Sequence, residues 1–355
     1  MSGRLLKCAL YGALCLASVP VLGEFKDPLD TPALMNVELA KSSRMTAITR
    51  AGNRLVAVGA IGHIVLSDDL GRSWQQVPVP TSVDLVAVEF FNEQLGWAVG
   101  HDGVVLHSQD GGQSWSKQLD GNRVIELYKQ LDETLAQRSD EEAQALRDEL
   151  ARYIGEGPDK PFLDVLFISE HEGFVVGAFN LAFHTVDGGQ TWTPLTGRTD
   201  NPRSLHLYAL ARSGNDLYAA GEQGLLLRWD AVQLRFIALN SPYHGSFFGL
   251  LGTDHELVAY GLRGNAFVSK DRGESWSELD TGSNDSITGA SQLPDGRMVL
   301  VSQVGKLLVG TSAAALQELT PRRAMAYFDV SAAGNGAVVV VGSTGVQLEP
   351  VAGQN

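Results

Sequence analysis

The chain has 355 residues, of which 44% are apolar and 19% are charged, and its formal net charge is −14. A chain of this length can bury a large core without a disulfide or a structural metal. The acidic balance argues against general nucleic-acid binding, which needs a basic surface. Both cysteines, Cys8 and Cys15, lie near the N-terminus, so the rest of the chain can form no thiolate metal site or disulfide.

Residues 1–23 have the pattern of an export signal. Arg4 and Lys7 precede an apolar run from Cys8 to Leu22, and a polar stretch follows. The run is short and ends abruptly, which favours a cleaved signal peptide over a retained anchor. We therefore expect an exported protein comprising residues 24–355, without stable membrane insertion.

One pattern recurs seven times along the chain: an apolar run, a marker residue, a short loop and a second apolar run. In the second unit, strands are predicted at 85–91, 96–100, 104–108 and 114–119. Four strands in about 40 residues, repeated seven times, predict an all-β, seven-bladed β-propeller. Successive markers are separated by 40–44 residues, except for one gap of 77 residues. The markers are Gly59, Gly100, Gly177, Gly221, Gly261, Ser302 and Gly342.

The seventh unit ends after its third predicted strand, near Pro350. Residues 33–49 resemble a fourth strand followed by the first strand of the next unit. We therefore predict that a strand at residues 34–39 completes the last blade and closes the ring.

Four turns share the motif Ser/Thr-x-Asp-x-Gly-x-Ser/Thr-Trp, at residues 67–74, 108–115, 185–192 and 269–276. Each falls between the third and fourth strands of a unit. The Asp can accept hydrogen bonds from its own turn, the Gly can adopt positive φ, and the Trp can pack between sheets. We interpret these Asp-boxes as structural joints, formed by Asp69, Trp74, Asp110, Trp115, Asp187, Trp192, Asp271 and Trp276.

The long gap contains residues 121–160, which lack strand character. Apolar residues recur at helical spacing in two stretches, and Ser139 with Glu142 matches a capping box. These features predict an inserted helical hairpin. It is either a self-packed decoration or an arm that docks a partner.

In a propeller, the connections between blades share a face with the turns between second and third strands. We expect that face to carry the binding residues. The candidates for partner binding are Arg203, Arg263, Arg322, Arg323, His206 and Tyr243. The arginines either form a basic patch or are dispersed over the surface. No metal-ligand spacing or nucleotide-binding motif occurs, so we expect no metal, no cofactor and no catalytic residue.

The stretch GWAVGHDGVVLHSQDGGQSW at 96–115, within a sevenfold repeat, resembles the photosystem II assembly and stability factor family. The resemblance implies an exported, non-enzymatic scaffold that binds a membrane-protein complex, partly through an arginine patch. We expect a monomer, either periplasmic or, in a photosynthetic host, in the thylakoid lumen. Family members in other bacteria suggest an alternative role as an accessory protein of an envelope transporter.

The Asp-boxes also resemble those of sialidases and other glycoside hydrolases. This leaves open a glycosidase or a carbohydrate-binding propeller. A glycosidase requires paired carboxylates, or a Tyr–Glu pair, in the central pocket. Asp102, Glu222 and Tyr243 are the residues to examine for such a pair.

Overall fold

The computed structural model of the protein describes residues 26–351. The predicted signal peptide therefore lies outside the described residues. Between residues 26 and 351, six sheets have four strands and one has three, and each sheet is an antiparallel meander in chain order.

The first four sheets follow a short N-terminal helix, α1 (Val37–Ser42). Two longer helices lie between sheets 2 and 3. Sheet 1 contains β1 (Met45–Ala51), β2 (Arg54–Gly59), β3 (Ile64–Ser67) and β4 (Gln75–Gln76); sheet 2 contains β5 (Leu85–Phe90), β6 (Gly96–Gly100), β7 (Val105–Ser108) and β8 (Ser116–Leu119); the helices are α2 (Gly121–Leu135) and α3 (Glu141–Glu156); sheet 3 contains β9 (Phe162–Phe167), β10 (Gly173–Gly177), β11 (Ala182–Thr185) and β12 (Thr193–Pro194); sheet 4 contains β13 (Leu207–Ser213), β14 (Asp216–Gly221), β15 (Leu226–Asp230) and β16 (Arg235–Ala238).

The remaining three sheets follow without an intervening helix. Sheet 5 contains β17 (Phe247–Gly252), β18 (Leu257–Gly261), β19 (Ala266–Ser269) and β20 (Ser277–Glu278); sheet 6 contains β21 (Ile287–Gln292), β22 (Met298–Ser302), β23 (Leu307–Gly310) and β24 (Gln317–Leu319); sheet 7 contains β25 (Tyr327–Gly334), β26 (Ala337–Gly342) and β27 (Gly345–Pro350).

The sheets are arranged in a propeller-like ring. The first strands lie beside one another in chain order, from β1 to β5 and onward to β25, and β25 in turn lies beside β1. Every residue of the second strands β6, β10, β18 and β22 is buried. A middle strand covered by neighbouring sheets on both faces must be apolar throughout, which explains the continuous apolar runs of the repeat.

The marker glycine of the repeat is required by a close backbone approach. An ideal Cβ on Gly100 would lie 2.1 Å from the Asp84 carbonyl oxygen, in the connection that enters sheet 2. The other marker glycines meet a carbonyl oxygen at 2.1–2.3 Å in the same way. A side chain on one of these glycines would therefore collide with the carbonyl oxygen and push the two chain segments apart.

The prediction of a strand at residues 34–39 is wrong. Residues 37–42 form helix α1, and β27 pairs only with β26. Asn36 caps the helix by accepting a hydrogen bond from the Leu39 N–H at 3.1 Å, and the sequence Val-Glu-Leu-Ala-Lys-Ser is rich in helix formers. Ala40 is buried, and the Lys41 carbonyl oxygen lies 1.9 Å from an ideal Cβ on Gly345. Sheets 7 and 1 are thus joined by a packed helix.

Helices α2 and α3 pack antiparallel. The Tyr128 and Tyr153 rings lie 5.4 Å apart, and Arg147 pairs with Asp132 at 2.8 Å. The N-cap of α3 is Asp140, which accepts from the Ala143 N–H at 3.0 Å, so the predicted Ser139 cap is off by one residue. Apolar side chains of both helices join a core cluster with sheets 2 and 3.

Candidate functional site

The loop face is the side of the molecule that carries the turns between second and third strands and the connections between sheets. Each turn packs against the connection that leaves its own sheet. An ideal Cβ on Gly224, for example, would lie 1.9 Å from the Tyr243 carbonyl oxygen, and one on Gly264 would lie 1.9 Å from that of Ser283. Turns and connections therefore form one continuous surface.

Five turns of the loop face have the same backbone conformation. Each is a single 3-10 turn whose middle residue, the apex residue, has φ between 49° and 59°. Left-handed backbone is strained for residues other than glycine and is often found at functional sites. The apex residues are Ile61, Asp102, Phe179, Gln223 and Arg263.

Two of the candidate arginines lie on neighbouring sheets. Arg203 is exposed in the connection to sheet 4, and its Nη1 donates to Gln223 Oε1 at 2.6 Å. Arg263 is the exposed apex residue of sheet 5, and its main-chain N–H donates to Ser286 Oγ at 3.3 Å. Both guanidinium groups thus belong to the loop face.

The other two arginines lie in the connection from sheet 6 to sheet 7. The Arg322 N–H donates to both oxygens of the Glu349 carboxylate at 3.1 Å, and the Arg323 carbonyl accepts from Gln347 Nε2 at 3.0 Å. Both side chains are exposed. Among residues 26–351, none of the four candidate arginines is in an ion pair, and no recorded contact joins Arg203 or Arg263 to this second pair.

His206 belongs to a row of aromatic rings. Its ring lies 4.5 Å from Phe179 and 5.9 Å from Tyr208, and Tyr208 lies 5.8 Å from Phe248. The main-chain N–H of His206 donates to Glu222 Oε2 at 2.9 Å. The row of rings extends from Phe179, an apex residue, to Tyr208 and Phe248, which line the wall of the central channel. A partner side chain on this path would meet aromatic surface.

Tyr243 has a different environment from His206. Its hydroxyl donates to the Leu262 carbonyl at 3.3 Å and accepts from Asn265 Nδ2 at 3.2 Å, and its ring packs 5.8 Å from Phe267. The side chain is half-buried between a turn and a connection. These contacts make Tyr243 part of the support of the loop face.

A channel of about 300 Å³ lies at the centre of the ring and is lined by residues of the first strands. Three carboxylates in the first strands accept a main-chain N–H from the next sheet and so join sheets 2 and 3, sheets 3 and 4, and sheets 7 and 1. The three bonds run from Phe167 to Glu89 at 2.9 Å, from Leu210 to Asp164 at 2.7 Å and from Ile48 to Asp329 at 3.0 Å. The sequence analysis did not identify these inter-sheet clasps.

Burial perturbs the clasp carboxylates. Desolvation raises the pKa of Asp164 and of Asp329 to about 7, against the opposing effect of the main-chain N–H groups. Desolvation also raises the pKa of Glu89 well above its usual range. Each carboxylate is bonded to the backbone, so the geometry assigns them a structural role.

The Asp-box carboxylates are saturated by their own turns. Asp110 Oδ1 accepts from Ser108 Oγ and the Ser114 N–H at 2.9 Å each, and Oδ2 accepts from Ser114 Oγ at 2.6 Å. Trp115 Nε1 donates to the Gly112 carbonyl at 2.9 Å. Asp69, Asp187 and Asp271 bond to the flanking hydroxyls in the same way.

Within residues 26–351, no hydrogen bond joins Asp102, Glu222 or Tyr243 to another of the three residues considered for a glycosidase. Glu222 Oε2 lies 3.1 Å from His206 Nδ1, whereas the Tyr243 hydroxyl is bonded to Leu262 and Asn265. Asp102 is an apex residue of sheet 2, and burial raises its pKa. In the part of the chain that the structure describes, no cluster of three His, Cys, Asp or Glu residues could hold a metal ion.

Residues 41–132 and 154–335 match a known family model, that of the photosynthesis system II assembly factor YCF48. The chain belongs to this family. The unmatched segment between the two ranges falls within α2 and α3. A curated relative, the photosystem II assembly lipoprotein Ycf48 of Synechococcus sp. (strain CC9902), is 26% identical over 150 residues. That match covers 40% of this chain and 44% of the relative, less than half of either protein.

Solved structures of low sequence identity share the fold. One is described as YCF48 bound to D1 peptide; it has a TM-score of 0.61 and 15% identity, and the match covers 93% of this chain and 98% of that one. Another is the β-propeller domain of Cps50 (Swd1) from Myceliophteria thermophila, with a TM-score of 0.63, 11% identity and coverage of 87% and 98%. The chain therefore has an all-β, propeller-like fold of four-stranded antiparallel sheets. Within residues 26–351, the helices are too short or too polar to span a bilayer.

Proposed function

We propose that this protein is an exported, non-enzymatic scaffold that assists assembly of a membrane-protein complex, working as a monomeric seven-bladed propeller with α2 and α3 as an inserted arm. Membership of the YCF48 family supports this role. So does the relative whose structure is described as bound to D1 peptide. The proposed location is the periplasm, or the thylakoid lumen in a photosynthetic host.

The proposed binding surface is the loop face. The observation that carries this assignment is a set of exposed arginines, outside any recorded ion pair within residues 26–351, on a protein whose net charge is −14. The donors available for carboxylates of a partner are those of Arg263, Arg322 and Arg323, and those of Arg203 other than the Nη1 bond to Gln223. His206 and Phe179 add aromatic surface beside them, and Tyr243 supports the turns.

The test is recovery of membrane proteins from detergent extracts on the tagged protein. Arg322→Glu combined with Arg323→Glu is expected to lower recovery of a specific membrane protein roughly tenfold or more, because attraction is replaced by repulsion. The matched control is Arg72→Glu combined with Arg212→Glu. It changes the net charge equally, at exposed residues on the opposite face.

Equal recovery with both double variants would reject the arginine assignment. Failure of the unaltered protein to recover any membrane protein reproducibly would reject the scaffold function. Of the residues considered for a glycosidase, Glu222 contacts His206 and the Tyr243 hydroxyl is bonded to Leu262 and Asn265. Turnover of fluorogenic glycosides by the purified protein would overturn the non-enzymatic assignment.

A further inference from the structure

Sheet 7 differs from the other six sheets in the described part of the chain because no fourth strand covers its outer edge. In sheets 1–6, a strand of two to four residues pairs with the third strand. In sheet 7, β27 pairs with β26 alone. Helix α1 covers the beginning of β27, where Lys41 meets Gly345, but the rest of the edge has no neighbouring strand.

The register of the β26–β27 hairpin shows which backbone groups face this edge. A two-residue turn places Gly345 opposite Gly342, which makes them a hydrogen-bonded pair. Because such pairs alternate, Gln347 and Glu349 also exchange hydrogen bonds with β26. The N–H and C=O groups of the residues between them point away from the sheet.

Val346 and Leu348 are the residues whose backbone groups point outward. Within residues 26–351, neither N–H has a hydrogen-bond partner beyond the sheet. Pro350 occupies the next outward position, where a missing N–H costs the ladder nothing. An uncovered edge of this kind is a template for pairing with another strand.

Basic side chains flank the open edge. Arg322 and Arg323 are exposed, and their main chains are bonded to the side chains of Glu349 and Gln347 in β27. The Glu349 carboxylate is only 1% exposed and is used by the Arg322 N–H. Helix α1 adds an ion pair between Glu38 and Lys41, whose charges cancel. The net accessible charge beside the edge is therefore positive, which complements an acidic strand.

We propose that the open edge of β27 binds an extended, acidic segment of a partner protein, which adds to sheet 7 as its antiparallel fourth strand. The inference rests on the scaffold function proposed above and specifies how a partner would be held. Backbone hydrogen bonds to Val346 and Leu348 would supply affinity, and carboxylates facing Arg322 and Arg323 would select the sequence.

The chain itself is a less suitable source of this strand. Val351 is fixed by its N–H bond to the Gly336 carbonyl at 2.8 Å, which continues the pairing of β27 with β26. At the other end, Pro28 bonds to Thr81 beside sheet 1 and Asp30 pairs with Lys117 of sheet 2. The described N-terminal segment thus starts away from β27.

The experiment measures amide hydrogen exchange of the full chain by NMR, with synthetic peptides as probes. One end-blocked eight-residue peptide alternates valine and glutamate, and its counterpart alternates valine and lysine. At a glutamate-peptide concentration ten times its Kd, exchange of the Val346 and Leu348 amides is expected to slow about tenfold. Amides of Gln347 and Glu349, already paired with β26, are expected to change little.

Several outcomes would overturn the proposal. One is unchanged exchange at Val346 and Leu348 at millimolar glutamate peptide, and another is equal slowing by the lysine peptide. Protection without peptide would also overturn it: protection that rises with protein concentration would assign the edge to a second copy, and concentration-independent protection would assign it to this chain.

A pair of variants separates this proposal from the scaffold function. Leu348→Pro removes the outward N–H, whereas Leu348→Ala removes the side chain and keeps the N–H. The proline variant is expected to recover at least about fivefold less membrane partner than the alanine variant. Equal recovery would reject edge pairing and leave the scaffold function intact. Absence of any partner, even with the unaltered protein, would reject the scaffold function, and the peptide experiment would still decide the edge.

Discussion

The inter-sheet clasps at the central channel should make the stability of the ring depend on pH. Asp329 in β25 accepts the main-chain N–H of Ile48 in β1, across the junction where the last sheet meets the first. The perturbation is Asp329→Asn, which keeps the size of the side chain and removes its charge. Desolvation raises the pKa of Asp329 from 3.8 to about 7 in the folded protein.

The sign follows from proton linkage. Below pH 4, Asp329 is protonated in both the folded and the unfolded chain, so its contribution to stability is fully present. Between pH 4 and pH 7 the unfolded chain ionises and the folded chain does not, and the free energy of unfolding falls as pH rises. Above pH 7 both states are ionised and the loss is complete.

The magnitude follows from the two pKa values. The difference between 3.8 and about 7 corresponds to about 4 kcal/mol at roughly 1.4 kcal/mol per pH unit. The Asp329 carboxylate lines the central channel, and the charge of Asp164 also raises its pKa. Because part of the shift comes from Asp164 and the channel screens the charge, we expect a loss of about 2 kcal/mol for Asp329 itself. The amide that replaces the carboxylate accepts one N–H fewer, which lowers stability by about 1 kcal/mol at every pH.

The assay is urea unfolding followed by tryptophan fluorescence at pH 5, 6, 7 and 8, at constant ionic strength. The fall in stability from pH 5 to pH 8 is expected to be smaller by about 1–2 kcal/mol in Asp329→Asn than in the unaltered protein. Asp254→Asn, at an exposed turn residue, controls for the change in net charge. Identical pH profiles of Asp329→Asn and the unaltered protein would refute the assigned role of burial at the clasp.

Three further predictions concern the packing of the ring. Gly345→Ala is expected to lower the free energy of unfolding by about 2–4 kcal/mol, because the Lys41 carbonyl oxygen lies 1.9 Å from the position of the new Cβ. Gly296→Ala, at a glycine with positive φ and open space around it, is the control and is expected to cost about 1 kcal/mol. Equal losses in urea titrations would contradict the closure by α1. Asp110→Ala removes three hydrogen bonds of an Asp-box. It is expected to lower the free energy of unfolding by about 2 kcal/mol and to leave recovery of a membrane partner unchanged. A loss of recovery at unchanged stability would indicate a binding role instead. Tyr128→Ala, at a residue 2% exposed, is expected to cost about 3–5 kcal/mol. Amide exchange is expected to speed up in α2 and α3, and in sheets 2 and 3 that share their core cluster, before it does in sheets 5–7. Equal acceleration in all sheets would contradict this assignment of the cluster.

Most of the fold could be predicted from the repeat because the same steric requirement recurs in six of the seven units; the sixth unit has Ser302 at the marker position. The strands predicted at 85–91 and 96–100 are observed at Leu85–Phe90 and Gly96–Gly100. The marker glycine is fixed by contact with a carbonyl, and the apolar runs are fixed by burial on both faces. Requirements of this kind leave the same residues at the same spacing, so periodicity reveals them.

The closure of the ring could not be predicted in this way. It occurs once, so no period marks it, and the resemblance of residues 33–49 to a strand pair was misleading. The local sequence at 37–42 favours a helix, and packing of Ala40 against sheets 1 and 7 retains it. Local helix propensity with an Asn cap therefore outweighed the analogy with the other units.

The loop face was predicted only as a set of residues. Topology placed Arg203, Arg263, Arg322 and Arg323 on one face, but which guanidinium groups are near one another depends on loop conformations that no motif specifies. The clasps of Asp164 and Asp329 were missed, because an isolated carboxylate in an apolar strand does not reveal which N–H in the next sheet it will meet. A polar residue interrupting the first strands Phe162–Phe167 and Tyr327–Gly334 was the available indication.

The shared backbone of the five apex turns has a consequence for how recognition can vary in this fold. Aliphatic, acidic, aromatic, amide and guanidinium side chains all occupy the same left-handed position, so the main chain there does not depend on their chemistry. Exchanging one apex side chain for another would alter what the surface attracts while leaving the scaffold unchanged, and each exchange would be independent of the other four. Relatives with the same ring could thereby acquire different binding partners through a few point substitutions.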